Sequence, residues 1–181
     1  WVAKRLILMP ISKLYFEIFD KVREKVFKNL LSFRRIGALA GGTAISLQLG
    51  KRYSYDFDVF IPRPIVPDLL NKVIESFGKN IIKLIDSLNE LSFLTSKKVR
   101  VSFIYFPFPP LHSLVKTKSI YLYNLGDLAS NKAYVIGRRG EYRDYVDLFF
   151  LLKSGLKLKK IVKEAEKRFG GASDGDVEKT K

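Results

Sequence analysis

Apolar residues at Ile11, Leu14, Tyr15, Ile18, Phe19, Val22, Val26 and Leu30 alternate with Lys13, Glu17, Lys21, Glu24, Lys25 and Lys28. That spacing predicts one amphipathic helix over 11–31. Residues 33–40 read as a buried strand running into Gly41-Gly42, and 43–49 as a short helix stopped by Gly50. Over 53–61 the period changes to two. Tyr55, Phe57, Val59 and Ile61 take one side, and Ser54, Asp56, Asp58 and Phe60 the other. A strand there presents both aspartates on one face. Pro62, Pro64 and Pro67 break the chain before a helix near 68–77. Two or three strands are predicted, roughly at 81–86, 91–95 and 99–106, the last rich in β-branched and aromatic residues. Pro107, Pro109 and Pro110 end the sheet. Helices follow at 124–138, 141–153 and 156–169, with Asp127 as the cap of the first. This order predicts an α+β fold: a small mixed sheet flanked by helices over 1–110, a helical region over 111–169 completing any site, and a flexible tail over 170–181. Phe16, Phe19, Phe149 and Phe150 take core spacing, and no aromatic platform for stacking bases is read.

Composition narrows the chemistry. With 47% hydrophobic residues in 181, the chain offers enough apolar surface to fold. Cysteine is absent, which excludes disulfide scaffolds, thiolate zinc sites and cysteine nucleophiles. His112 is the single histidine, in the proline-rich connector, and reads as a surface or hinge residue. Metal chemistry must therefore use carboxylates. Lys plus Arg total 33 against 18 Asp plus Glu, a net charge of +15, which draws polyanions and above all nucleic acid. No apolar run reaches the ~18–20 residues that span a bilayer, so no membrane partner is expected. The patch Leu6–Met9 behind Lys4 and Arg5 is too short for a signal-peptide core, and a cytoplasmic protein is expected.

The informative segment is 39–60. A strand ends on Gly41-Gly42, Thr43 follows, and a short helix begins. Glycines let backbone approach a ligand closely, and a helix start offers unpaired N–H groups to anionic oxygen. Asp56 and Asp58 project together from the next strand. Two carboxylates so close repel unless a cation lies between them, and among buried neighbours an unpaired pair is costly. Such oxygen ligands suit Mg²⁺ held jointly with substrate phosphates. A phosphate cradle beside a two-carboxylate metal site is the minimum apparatus for phosphoryl or nucleotidyl transfer.

Gly-Gly-Thr, a short helix and Ser54-x-Asp56-x-Asp58-x-Phe60 resemble the AbiEii/AbiGii abortive-infection nucleotidyltransferase toxins, within the polymerase-β-like superfamily. Asp127–Lys132 followed by Arg138–Leu152, with its Arg143-Asp144-x-x-Asp147-Leu148, is similar to that family's second signature. The resemblance implies a nucleotidyltransferase core in which Gly41, Gly42, Thr43 and Ser54 hold a nucleoside triphosphate. Asp56 and Asp58 would bind Mg²⁺ or Mn²⁺, Lys132 would contact phosphate, and Asp144 would complete the catalytic set. Asp147 is expected as a cap or a partner behind it. Arg138, Arg139 and Arg143 are candidates for RNA phosphates, while Lys153, Lys157, Lys159, Lys160 and Lys163 extend a basic surface. The resemblance further implies transfer of a nucleoside monophosphate to a hydroxyl, an RNA or tRNA 3′ end foremost, by a toxin with a separate antitoxin protein. One departure stands out. Many superfamily members carry a third metal carboxylate on a later strand, yet 99–106 contains no acid, and Asp86 is one strand away. The alternative is therefore a non-catalytic nucleotide- or RNA-binding module of the same fold.

Overall fold

A computed structural model, describing residues 13–170, shows an α+β fold on a five-stranded mixed sheet in the order β1-β2-β5-β4-β3. The strands are β1 (Ala38–Leu39), β2 (Phe57–Ile61), β3 (Ile82–Asp86), β4 (Glu90–Leu94) and β5 (Arg100–Tyr105). β1 lies antiparallel to β2, β2 parallel to β5, and β3-β4-β5 form an antiparallel meander. The helices are α1 (Lys21–Asn29), α2 (Gly41–Leu49), α3 (Asp68–Phe77), α4 (Leu125–Arg139), α5 (Tyr142–Lys153) and α6 (Leu158–Phe169).

The pleat divides the sheet into two chemically different faces. Phe57, Val59 and Ile61 on β2, Leu91 and Phe93 on β4, and Val101 and Phe103 on β5 are all buried. Against this face pack the 30–33 turn and α3, with Phe33 4.7 Å from Phe103 and Phe77 5.2 Å from Phe93 between ring centroids. The alternate positions follow from register. Asp58 pairs with Ser102, Phe60 with Ile104, Ser92 with Ser102 and Glu90 with Ile104. The opposite face is therefore polar, and it lies beneath the helical half.

Several expectations are corrected. The helix over 11–31 is broken: Phe16–Ile18 is a 3-10 turn, Phe19 is extended, and α1 begins only after Asp20. The Asp20 carboxylate accepts the Arg23 N–H at 2.8 Å, and a capping side chain of this kind starts a new helix rather than continuing one. The strand over 33–40 shrinks to two residues because the Ile36 and Gly37 N–H groups bond back to the Phe33 carbonyl. Asp127 does not cap α4. Asn124 does, accepting the Gly126 N–H at 2.9 Å. Asp127 is fully buried and instead accepts the Leu111 and His112 N–H groups at 2.7 and 3.1 Å, 3.6 Å from the Arg168 guanidinium. Phe16 and Phe149, expected in the core, are exposed. Residues 1–12, which include the short apolar patch, and 171–181 of the expected tail lie outside the described residues.

The connector after the sheet is no loose linker. Leu122 forms a parallel bridge with Leu39, whose N–H and carbonyl bond to Tyr121 and Tyr123 at 2.8 and 2.9 Å. Ile120, Leu122, Leu128, Leu151 and Ile161 join the same apolar core as the sheet. Arg168 clamps α6 onto this arrangement, donating to the carbonyls of Asp127, Pro109 and Phe108 and to Ser130 and Asn131. His112 sits against Gly126, with Asp127 and Glu164 at 3.3 and 3.4 Å.

Candidate active site

A cleft of about 800 Å³ opens between the polar face of the sheet, the glycine turn and the α4–α5 corner. Its floor is Asp58, Phe60, Glu90, Arg100, Ser102 and Ile104, the same-parity residues of β2, β4 and β5. The turn that borders it depends on both glycines. Gly41 has φ +62°, a left-handed conformation open to glycine, and the Asp58 carboxylate fills the space a Cβ would need. At Gly42 that space is taken by the Arg52 guanidinium, with Ser54 Oγ 3.1 Å from the same point. The start of α2 carries no side-chain cap, and its first two residues, Gly41 and Gly42, line the cleft.

Asp56 and Asp58 both line the cleft. Burial, then the Asp56 charge, push the Asp58 carboxyl up to about 6; Lys132 and Arg100 pull the other way. Among the described residues neither carboxylate forms an ion pair or accepts a side-chain hydrogen bond; Lys132 and Arg100 act on Asp58 only through their charge. Such a self-repelling acidic pair fits a hard divalent cation. Among the described residues no set of three or more histidine and acid side chains clusters closely enough to hold a metal. Any ion there would take its remaining oxygens from phosphate and water.

Lys132 of α4 faces this pair from across the cleft, with its Nζ 2.7 Å from Asp144 Oδ1 and 2.9 Å from Asp147 Oδ2. Asp147, fully buried, also receives a two-pronged contact from Arg52, Nε to Oδ1 at 2.6 Å and Nη2 to Oδ2 at 2.8 Å. Arg52 thus ties the glycine turn to α5. Burial works to raise the Asp144 pKa, but hydrogen bonds from Lys132 and the Glu141 N–H outweigh it and hold the carboxyl below its usual value. Asp144 Oδ2 accepts that Glu141 N–H at 3.0 Å, so the capping role expected as one option for Asp147 belongs to Asp144.

Gly41, Gly42, Ser54, Asp56, Asp58, Lys132, Arg139, Arg143 and Asp144 therefore meet at one cleft. Two expected residues do not line it. The Thr43 side chain turns inward and donates to the Asp56 carbonyl, fixing the backbone before β2 rather than reaching a ligand. Arg138 lies over the Tyr134 ring at 4.0 Å. Sequence reasoning missed Arg52, Glu90, Arg100 and three exposed tyrosines, Tyr53, Tyr55 and Tyr142, all on the cleft. Glu90 accepts from Ser92 Oγ, which donates toward it and lies 2.7 Å from Ser102 Oγ, while Arg100 stands 3.4 Å away. The signal was present for this row: Arg100 and Ser102 interrupt an apolar strand at period two.

Comparison with known proteins adds the following. A family profile described as "Nucleotidyl transferase AbiEii toxin, Type IV TA system" matches residues 32–180. The chain is 33% identical over 143 residues to the uncharacterized protein aq_aa25 of Aquifex aeolicus (strain VF5), covering 72% of this chain and 65% of that protein. It thus spans about two thirds of that relative's length. Among solved structures, JHP933 from Helicobacter pylori is similar with a TM-score of 0.56 at 19% identity, covering 91% of this chain and 82% of that one. ANT(2")-Ia in complex with adenylyl-2"-tobramycin is similar with a TM-score of 0.60 at 11% identity, covering 83% and 99%.

Proposed function

The chain belongs to the AbiEii nucleotidyltransferase toxin family, and from that premise we propose that it transfers a nucleoside monophosphate from an NTP to a hydroxyl at an RNA 3′ end, tRNA foremost. One observation carries this reading: Asp56 and Asp58 share one cleft with Lys132, neither held in an ion pair among the described residues, with the Asp58 carboxylate against Gly41. In the reaction the acceptor oxygen bonds to the α-phosphorus, the bond from that phosphorus to the α–β bridging oxygen breaks, and pyrophosphate leaves while the hydroxyl proton passes to solvent or a nearby carboxylate.

Asp56 and Asp58 would hold Mg²⁺ or Mn²⁺, which when bound supplies charge neutralisation on the triphosphate. The chain's own residues do the rest. Gly41 and Gly42 open the start of α2 so that backbone N–H groups and Ser54 reach phosphate oxygen. Lys132 adds a cation where negative charge accumulates in the transition state. Asp144 and Asp147 hold that ammonium in place from two sides, which is the orienting role of a positioned carboxylate. Arg139 and Arg143, on the rim, suit phosphates of an incoming polyanion, consistent with the +15 net charge.

The same premise extends to biology: a toxin acting in the cytoplasm, restrained by a separately encoded antitoxin protein. Among the described residues no helix is long and apolar enough to cross a membrane. Incubation with Mg²⁺, labelled NTPs and total tRNA tests the activity. Label entering RNA with the wild type, and not with Asp58→Ala, supports it. RNA binding with no label transfer under Mg²⁺ or Mn²⁺ refutes it and leaves the non-catalytic module.

A further inference from the structure

We propose that Tyr53 and Tyr142 form a stacking clamp for the unpaired bases at the 3′ end of a single-stranded RNA acceptor, an inference that rests on the RNA acceptor proposed above. Both rings line the cleft, from two separate elements: Tyr53 on the α2–β2 loop, Tyr142 as the first residue of α5. They are 64% and 83% exposed, although tyrosine carries a large apolar face that folding ordinarily covers. Neither element is slack. The Tyr53 carbonyl accepts Arg52 Nη1 at 2.9 Å, and Arg52 is itself locked onto Asp147. Tyr142 is set by the capped start of α5, with Arg143 beside it and Arg139 across the corner. Tyr55, on the same loop as Tyr53, has the Arg23 guanidinium carbon over its ring, 4.7 Å from the centroid, so an aromatic face here already takes a partner.

Exposed aromatic faces next to arginines are the pairing that single strands use. The rings take bases, the cations take backbone phosphates, and little sequence preference results because every base has a π-face. A duplex keeps its bases stacked internally and offers the rings none. The clamp therefore selects for a frayed or overhanging end, and it delivers the terminal hydroxyl toward the acidic floor at Asp56 and Asp58.

Fluorescence anisotropy with two labelled RNA hairpins, one blunt and one bearing a four-nucleotide 3′ overhang, tests this without turnover. Binding of a non-hydrolysable NTP analogue with Mg²⁺ is measured in parallel. Tyr53→Leu and Tyr142→Leu are expected to weaken overhang binding about tenfold each, while Tyr→Phe at either position retains it. The blunt hairpin and the NTP analogue are expected to be unaffected by either Leu variant. Unchanged overhang binding in both Leu variants, no measurable overhang binding by the wild type, or weakened analogue binding with intact RNA binding each overturns the clamp. The last of these would give the tyrosines to the nucleotide base. A protein that grips the overhang through its tyrosines yet never transfers label refutes the transferase reading and leaves the clamp. One that transfers label while its Leu variants bind normally refutes the clamp alone.

Discussion

Replacing Asp58 with Asn stabilises the metal-free protein by an amount that grows with pH. Burial and the neighbouring Asp56 charge raise the Asp58 carboxyl from 3.8 to about 6 in the folded chain. At about 1.4 kcal/mol per pH unit, that displacement is worth about 3 kcal/mol. The sign follows from linkage. Below pH 3.8 the carboxyl is protonated whether the chain is folded or not, and the folded state bears no penalty. As pH rises toward 6 the folded protein retains a proton that the unfolded chain has lost, so stability falls; above that pH the full penalty stands. Asn cannot ionise and escapes it. The Asn variant therefore gains about half of this at pH 5 and the full amount of about 3 kcal/mol at pH 8. For a chain of this size that is roughly 3–6 °C and 6–12 °C in Tm. Thermal melts of both proteins in EDTA at pH 5, 6.5 and 8 read the difference directly. Adding millimolar Mg²⁺ raises the wild-type Tm at pH 8 and leaves that of the variant unchanged. A Tm gap that is the same at pH 5 and pH 8, or a variant less stable at both, refutes the reasoning.

Other outcomes follow from the same geometry. Asp147→Asn strips a buried charge from between Arg52 and Lys132, and urea denaturation is expected to show a loss of about 3 kcal/mol, together with lower label transfer. Gly41→Ala forces a left-handed backbone on alanine and drives a Cβ into the Asp58 carboxylate, so a loss of about 1–2 kcal/mol is expected, with Mg²⁺ no longer raising the Tm. Arg168→Ala removes the donors that join α6 to α4 and the proline segment; a loss of about 3 kcal/mol is expected in denaturation, while whatever transfer activity the cleft has persists at low temperature. Persistence of normal stability in that variant would show that the clamp does not secure the helical half.

How far the sequence disclosed this molecule depends on the kind of signal. The strand through Asp58, the helix at Asp68–Phe77 and the meander were legible because local pattern and burial agree there, although the strand expected over 53–61 begins only at Phe57 and leaves Asp56 just before it. The break at Asp20 was hidden inside a good helical period, since a single capping hydrogen bond decides it. The two-residue β1 was overdrawn for the converse reason: an apolar run looks alike in a strand and in a turn packed on the core. In the cleft, Gly41, Gly42 and the aspartates announce themselves within twenty residues. Arg52 does not, because its meaning comes from Asp147, 95 positions away. Arg100 and Ser102 did show as polar breaks at period two, but Glu90 gave no such signal until strand register put it on the same face as Ser102, within reach of Arg100.

The bridge from Leu39 to the segment around Leu122 has a consequence for how the molecule can be divided. Cutting the gene after the proline run would yield a fragment with a bare border strand, its amide and carbonyl groups offered to any passing polypeptide. Each piece would lose part of one shared oily interior, so a reconstituted molecule would have to be assembled by co-expression rather than by mixing halves prepared separately.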